Sequence, residues 1–250
     1  MLYLDFLADV HRRLAPRTYL EIGVRNGVSL ALSHCRSIGI DPAFNIFAEL
    51  DADVSLFRTT SDAYFSSSDP LAATRGERFD LSFIDGLHLF EYALRDFIFA
   101  ERYSSSRSVI MFDDVLPRNV EEASRERHTL SWTGDVFRVL QVLERYRPDL
   151  MVMPLGTKPT GLLAVVGVDP DSTVLRDNYH AIMTEFRRPD PQQVPAELLD
   201  RLSVIPPQRF LDSGVLELLA GSRESGIDPR RELQDLVGTR LGRGFVQVVS

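Results

Sequence analysis

Hydrophobic and polar positions follow two different patterns along the first two thirds of the chain. Short, continuous apolar runs, such as residues 81–84 and 109–112, predict strands that are buried on both faces of a sheet. Between these runs, apolar side chains recur every three or four residues, which predicts helices. The predicted strands are residues 18–22, 37–41, 54–59, 79–85, 108–113, 150–154 and 161–168.

Predicted helices separate these strands. They are residues 1–16, 27–35, 42–50, 62–66, 88–103 and 135–146. An alternation of strands and helices predicts right-handed crossovers and a parallel sheet with helices on both faces. We therefore expect an α/β fold with a doubly wound, Rossmann-like sheet of seven mostly parallel strands.

The character of the chain changes after residue 168, where frequent prolines break the sequence into short segments. The predicted helices in this part are residues 196–202, 215–220 and 230–241. The segment is too short and too interrupted for a second α/β domain. We predict one domain at residues 1–168 and a helical C-terminal appendage at residues 169–250, which covers a substrate cleft or contacts a second copy of the chain.

The first predicted strand runs into a turn that contains glycines, with the sequence Tyr-Leu-Glu-Ile-Gly-Val-Arg-Asn-Gly at residues 19–27. Gly23 lets the backbone turn tightly beside a ligand, and Asp41, eighteen residues further on, is well placed for ribose hydroxyl groups. Together they predict a nucleoside pocket. The fingerprint of dinucleotide-binding proteins is G-x-G-x-x-G, and its middle glycine is missing here. Glu21 would also repel a pyrophosphate but attract an ammonium group, so both observations argue against a dinucleotide.

This turn resembles motif I of the class I S-adenosylmethionine-dependent methyltransferases. The resemblance implies that Glu21, Gly23 and Gly27 hold the methionine end of the cofactor and that Asp41 binds its ribose. The alternative is an ordinary Rossmann-type turn that binds another ligand or none.

Acidic side chains end two further predicted strands. Asp85 ends one strand and is followed three residues later by His88, while Asp113 and Asp114 end the next strand. Because ligands bind outside the carboxyl ends of parallel strands, we expect these acids to converge on one cleft. Close carboxylates repel one another, and either a raised pKa or a hard cation relieves the repulsion. Oxygen ligands favour Mg²⁺, with Ca²⁺ or Mn²⁺ next.

Residues 84–88 (Ile-Asp-Gly-Leu-His) and 112–114 (Phe-Asp-Asp) resemble one branch of the methyltransferase superfamily. This branch includes metal-dependent sugar O-methyltransferases of the macrocin type and cephalosporin-hydroxylase-like proteins. The resemblance implies that the three aspartates of these motifs bind Mg²⁺ and that His88 is the general base. It also implies that Ser61 and Asp62 contact the adenine of the cofactor.

The resemblance covers residues 17–168. Asp113 departs from it, because known members often have histidine or glutamate at this position. Neighbouring residues in a regular strand also point to opposite faces. Asp113 and Asp114 can therefore bind the same ion only if the strand ends before Asp114.

Simpler structural roles compete with several of these assignments. Asp85 and Asp135 could each cap a helix, and Asp62 could cap its own short helix. Trp132 could belong to the core or form a wall of the cleft. Four basic residues of one loop are expected to form a solvated face, with a lid over the substrate as the alternative: Arg118, Arg125, Arg127 and His128.

The overall charge narrows the possible partners. The chain has 250 residues, a net charge of −8 and a pI near 5.2, which argue against binding to nucleic acid or to anionic membranes. Its single cysteine, Cys35, excludes an internal disulfide and fits a reducing compartment. The sequence contains neither a membrane-spanning apolar run nor a signal peptide. We therefore expect a cytoplasmic protein.

These observations predict a Mg²⁺-assisted, S-adenosylmethionine-dependent O-methyltransferase that acts on a small hydroxylated acceptor, such as a sugar or a glycosylated metabolite. In this hypothesis His88, with an ordinary pKa of about 6.5, removes the proton of the acceptor. Three alternatives stay open: a metal-independent methyltransferase, a nucleotide-dependent oxidoreductase, and a non-catalytic Rossmann-like module that binds a partner through the appendage.

Overall fold

A computed structural model describes residues 1–242 of the chain, which form a seven-stranded sheet with helices on both faces. The strands are β1 (Thr18–Ile22), β2 (Arg36–Ile40), β3 (Val54–Phe57), β4 (Phe79–Ile84), β5 (Ser104–Phe112), β6 (Met151–Leu155) and β7 (Leu162–Val166). Their order across the sheet is β3-β2-β1-β4-β5-β7-β6. Strands β1 to β5 pair in parallel, and β7 is antiparallel to both β5 and β6. The predicted seven-stranded, mostly parallel sheet is confirmed.

Ten α-helices lie in the described residues. They are α1 (Tyr3–Leu14), α2 (Ser61–Phe65), α3 (Phe90–Arg102), α4 (Arg138–Tyr146), α5 (Val174–Asp177), α6 (Tyr179–Phe186), α7 (Ala196–Leu199), α8 (Pro207–Leu211), α9 (Val215–Ser225) and α10 (Arg230–Arg240). None of the helices in residues 1–242 has the length and apolar character that crossing a membrane requires.

Two predicted helices are wrong. Residues 27–35 form only a short 3₁₀ turn at Leu30–Leu32, and residues 42–50 form an irregular loop. In this loop the backbone N–H groups of residues 45, 47 and 48 donate to the carbonyl groups of Arg25 and Asn26. These long-range bonds take the donors that a helix would need for its own carbonyl groups.

The sheet has an apolar core on each face. On one face α3, α4 and α6 bury side chains such as Phe97, Leu140 and Ile182, and on the other face α1 and α9 bury Val10 and Leu219. The helices after residue 168 contribute to both cores, because α5 to α7 pack on the first face and α8 to α10 on the second. The division of the chain at residue 168 stays a prediction.

Candidate active site

One cavity of about 670 Å³ lies at the carboxyl ends of β1, β2, β4 and β5. This is the edge at which open α/β sheets bind ligands, and the volume suits a small molecule. Most of the predicted site residues line the cavity: Gly23, Asp41, Ser61, Asp62, Asp85, His88, Asp113 and Asp114. Residues from five separate stretches of the chain are therefore brought to one space.

The turn after β1 presses closely against the end of β4. Gly23 has a φ of +93°, and a Cβ on it would lie 1.9 Å from the carbonyl oxygen of Asp85. Only glycine therefore fits this position. Across the turn, the carboxylate of Asp41 accepts hydrogen bonds from the N–H groups of Arg25 (2.7 Å) and Ala43 (2.6 Å). The turn and the predicted ribose acid are thus fixed relative to each other.

Glu21 and Gly27 do not line the cavity, in contrast to the prediction. The Glu21 carboxylate is fully buried and accepts hydrogen bonds from the hydroxyl groups of Tyr19 (2.6 Å) and Ser29 (2.8 Å). Burial raises the pKa of Glu21 to about 8, although both hydrogen bonds lower it. Gly27 packs against Ile46 instead. Glu21 therefore supports the turn from within the core and does not present a charge to the cavity.

The predicted adenine end of the cavity contains an ordered polar network. The Ser61 hydroxyl donates to Asp96 at 2.5 Å, and both oxygens of Asp62 accept from the guanidinium of Arg95. Thr60 caps α2 through the N–H of residue 63, so Asp62 is not the cap. Asp96 lines the cavity but was not predicted as a site residue, and burial raises its pKa to about 7.

Asp85, His88 and Asp114 form a compact cluster. His88 Nε2 lies 3.3 Å from Asp85 Oδ1, and His88 Nδ1 lies 3.0 Å from Asp114 Oδ2. Within residues 1–242 this is the one group of three such side chains whose donor atoms all lie within 4.8 Å of one another. Two carboxylates and an imidazole fit a divalent cation. Asp113 does not belong to this group, although it lines the same cavity.

The backbone leaves the strand conformation directly after β5, before Asp114. This is the condition under which the neighbouring side chains of Asp113 and Asp114 can face the same side. The strand ends at Phe112, and Asp114 has a φ of +60°, which is rare for a residue with a Cβ. Oδ1 of Asp113 accepts the N–H of Asp114 at 2.8 Å. Asp113 therefore holds the turn that directs Asp114.

Protonation in this cluster differs from the sequence prediction. Burial lowers the pKa of His88, but the hydrogen bond to Asp85, the charges of Asp114 and Asp85, and the Trp132 carbonyl outweigh burial and raise this pKa to about 9. Burial and the charge of Asp85 raise the pKa of Asp114 to about 6, although His88 lowers it. Burial and the charges of Asp85 and Asp114 raise the pKa of Asp113 well above its ordinary value. In the absence of a cation, the neighbouring carboxylates therefore favour the protonated form of His88.

Trp132 forms a wall of the cavity and holds the His88 ring. The two rings stack with their centres 5.1 Å apart and their planes 15° apart. The Trp132 carbonyl lies 2.8 Å from His88 Nδ1 and accepts its hydrogen. Close approach requires glycine at residue 134, because a Cβ on Gly134 would lie 1.6 Å from the carbonyl oxygen of His88.

The loop that carries Trp132 is tied to α3 by buried charges. Asp135 is fully buried, and its carboxylate accepts the N–H of Phe90 at 2.7 Å, at the start of α3. Arg125 forms ion pairs with Asp135 and with Glu91. The prediction of a solvated Arg125 is wrong, because this side chain is only 15% exposed.

Tyr3 is a site residue for which the sequence gave no signal. It lies in the first turn of α1, its N–H donates to the Lys158 carbonyl at 3.0 Å, and its side chain lines the cavity. Burial and the nearby charges of Asp113 and Asp85 raise the pKa of its phenol. Tyr3 lies 82 residues before Asp85 in the sequence, so only the folded chain brings it to the acidic motifs.

Residues 20–115 match a family model described as a methyltransferase domain. The fold is similar to that of the O-methyltransferase from Bacillus cereus in complex with SAH, at 19% identity and a TM-score of 0.50, over 67% of this chain and 80% of that chain. The O-methyltransferase TomG from Streptomyces achromogenes, in complex with SAM, matches at 16% identity and a TM-score of 0.49, also over 67% and 80%. A search of the curated proteins gave no significant match.

The matched residues contain most of β1, all of β2 to β5, the turn at Gly23 and the acids at the ends of β4 and β5. The strand order and the single antiparallel strand agree with this assignment. Residues 20–115 therefore match a methyltransferase domain, and the fold of the chain is similar to that of the O-methyltransferase from Bacillus cereus.

Proposed function

We propose that the protein transfers the methyl group of S-adenosylmethionine to a hydroxyl group of a small acceptor, with a divalent cation at the acidic cluster. One observation carries this proposal: the glycine turn, Asp41 and the cluster of Asp85, His88 and Asp114 share one cavity. The SAH in the Bacillus cereus O-methyltransferase belongs to the same ligand class that we propose for this cavity.

The cofactor half of the cavity extends from the turn after β1 to α2. The turn at Gly23 would approach the methionine end closely because it has no side chain, and Asp41 would accept hydrogen bonds from the ribose. Ser61 and Asp62 would border the adenine. A carboxylate has about four lone-pair sites, so Asp62 can accept from a ligand while it remains paired with Arg95.

The acceptor half contains the acids and the His88 ring. A bound divalent cation would lower the pKa of a hydroxyl group that it coordinates. Asp85 and Asp114 would hold this cation, which the resemblance identifies as Mg²⁺. The third donor is either Asp113, as the resemblance implies, or His88, which lies within 4.8 Å of both other donors. The main contribution of the chain is to hold the two reacting molecules side by side.

The acceptor is proposed to be a small hydroxylated molecule, and the macrocin-type resemblance suggests a sugar or a glycosylated metabolite. Leu87, Leu130 and Trp132 line this half of the cavity and offer apolar surface beside the acids. The appendage after residue 168 supports this wall, because Asp190 accepts hydrogen bonds from the Ser124 hydroxyl and the Arg125 N–H.

A metal-independent methyltransferase is the second candidate. The His88 ring already lies between Asp85 and Asp114, and its raised pKa supplies a positive charge there. Methyl transfer that persists in full with EDTA would favour this second candidate.

Cofactor binding is tested with Asp41→Ala and SAH in a calorimeter. Loss of a hydrogen bond to a charged group costs about 1.5–3 kcal/mol, which corresponds to a loss of affinity of roughly tenfold or more. Asp51→Ala is the matched control, because Asp51 is an exposed acid of the same loop that does not line the cavity. Equal SAH affinity for wild type and Asp41→Ala would refute the assigned cofactor position.

A further inference from the structure

We infer that Asp96 is a further cofactor-binding residue, and that its free carboxyl oxygen donates a hydrogen bond to a ring nitrogen of the adenine. This inference rests on the proposed function, because it needs S-adenosylmethionine or SAH in the cavity. It deepens that proposal, since it gives the adenine a second acidic partner beside Asp62 and makes cofactor binding depend on a proton.

The position of the Asp96 side chain carries the first step. Asp96 lies in the second turn of α3 and is only 3% exposed, yet it lines the cavity. Its Oδ1 accepts the Ser61 hydroxyl at 2.5 Å, which places it at the predicted adenine end. Its Oδ2 lies beside the Cα of Gly86, because a Cβ on Gly86 would be 3.3 Å from this oxygen. Gly86 lines the cavity as well, so the carboxyl group borders the space for a ligand.

The free oxygen carries the second step. Among residues 1–242, the Ser61 hydroxyl is the one hydrogen-bond partner of the Asp96 carboxyl group, which leaves Oδ2 without a partner. The neighbouring guanidinium of Arg95 is not available, because it donates to both oxygens of Asp62 and to the hydroxyl group of Tyr179. A buried polar atom without a partner costs free energy, and a ligand that supplies the partner removes this cost.

The charge state of Asp96 carries the third step. Burial and the negative charge of Asp62 raise the pKa of Asp96 to about 7. The hydrogen bond from Ser61 and the charge of Arg95 act in the opposite direction, and Gly86 at the end of β4 brings no charge. An adenine in the cavity excludes water and adds no positive charge, so binding favours the neutral carboxyl group. The neutral group has an O–H donor, and its other oxygen still accepts from Ser61.

Adenine has complementary groups for two acids in different environments. Its amino group donates hydrogen bonds, and its ring nitrogens accept them. Asp62 is paired with Arg95 and offers acceptors, which suit the amino group. Asp96 in its neutral form offers a donor, which suits a ring nitrogen. The two acids therefore take opposite hydrogen-bonding roles towards one base.

The first experiment measures the SAH affinity of the full-length protein by calorimetry at pH 6 and pH 8. The bound state keeps a proton that free Asp96 releases above about pH 7, so the affinity falls as the pH rises. Asp96→Asn has a permanent N–H donor instead. The affinity of the wild type relative to this variant should therefore fall by roughly tenfold over this range. The other acids of the cavity titrate in both proteins and cancel in this ratio.

Glu144→Gln is the matched control for this titration. Burial raises the pKa of Glu144 to about 7 as well, but Glu144 does not line the cavity. The affinity of the wild type relative to Glu144→Gln should therefore be the same at pH 6 and pH 8.

The second experiment tests the hydrogen bond itself with analogues of SAH. In the 1-deaza, 3-deaza and 7-deaza analogues, a C–H group replaces one ring nitrogen of the adenine. We expect one of the three to bind the wild type roughly tenfold more weakly than SAH, because it leaves the O–H of Asp96 unpaired. Asp96→Ala has no such donor, so it should bind this analogue and SAH with affinities within about threefold of each other.

Opposite results would overturn the inference. If an ionised Asp96 accepted from the amino group instead, the affinity of the wild type relative to Asp96→Asn would rise with pH. If Asp96 only holds Ser61 in place, this ratio would not change with pH, and none of the three analogues would bind the wild type more weakly than SAH. The analogue measurement on the wild type decides the question even if Asp96→Ala fails to fold.

The proposed function fails in a different way. A wild-type protein that binds no SAH in the calorimeter would overturn both the cofactor assignment and this inference. Proton-linked SAH binding with one sensitive ring nitrogen would support the inference even if no hydroxylated acceptor were methylated.

Discussion

Replacement of Gly134 by alanine tests whether the loop that carries Trp132 holds the His88 ring in place. A Cβ at this position would lie 1.6 Å from the carbonyl oxygen of His88, whereas contacts under 3.0 Å essentially never occur. The difference, 3.0 − 1.6 Å, requires the two backbone segments to separate by at least 1.4 Å. The rings of Trp132 and His88, whose centres are 5.1 Å apart, would lose their stacked arrangement.

The expected loss of stability has two parts. Gly134 has a φ of +56°, and alanine in this left-handed region costs about 1–2 kcal/mol. Overpacking against the His88 carbonyl adds about 1–3 kcal/mol. Gly134→Ala should therefore lower the free energy of unfolding by roughly 2–5 kcal/mol.

The assay is urea unfolding followed by tryptophan fluorescence. Trp132 is the only tryptophan of the chain, so its emission reports on this loop directly. Gly221→Ala is the matched control, because Gly221 lies in α9 with nothing within 4 Å of an added Cβ. Alanine in a helix should leave stability unchanged or raise it by up to about 1 kcal/mol. If Gly134→Ala were as stable as Gly221→Ala and kept the wild-type emission, the reasoning would be refuted.

Two further predictions concern buried charges. Because the pKa of Glu21 is raised from 4.5 to about 8, the folded protein keeps a proton that the unfolded chain releases, and this group lowers stability as the pH rises through that range. The stability of wild type relative to Glu21→Gln, measured by urea unfolding, should therefore fall from pH 5 to pH 8, and an unchanged difference would contradict the burial argument. Arg125→Ala should cost about 3–5 kcal/mol of unfolding free energy, because it leaves the buried Asp135 carboxylate without its ion-pair partner. Arg127→Ala, an exposed arginine of the same loop, should change it by less than about 0.5 kcal/mol, and equal effects of the two variants would contradict the ion-pair argument.

Strand patterns in the sequence were sufficient to predict the sheet and the edge at which the acids meet. Short continuous apolar runs are typical of strands with helices on both faces, and parallel strands end at the same edge of a sheet. The strand ends alone predicted that Asp85, Asp113 and Asp114 meet near His88 at one cleft, and all four residues line the cavity. The arrangement of these side chains did not follow from the sequence, because it depends on the left-handed turn at Asp114 and on the contact of His88 with the Trp132 carbonyl.

Helix prediction failed where long-range contacts replaced local ones. Residues 42–50 have a helical apolar spacing, but their N–H groups are taken by the carbonyl groups of Arg25 and Asn26. The sequence also did not predict that the Glu21 side chain points into the core. This depends on which face of β1 packs against α1 and its neighbours. Hydrogen bonds from Tyr19 and Ser29 then hold the carboxylate in the core.

The sequence by itself therefore determined which functional features follow the successive strands. These are a glycine turn after the first strand, a predicted ribose-binding acid after the second, and acids at the ends of two later strands. These features are local, because a strand and its terminal residues are neighbours in the chain. Only the tertiary structure decided that Tyr3 enters the cavity, that Trp132 stacks on His88 and that Arg125 is buried. Each of these contacts joins residues that are far apart in the chain, and no local pattern specifies such a partner.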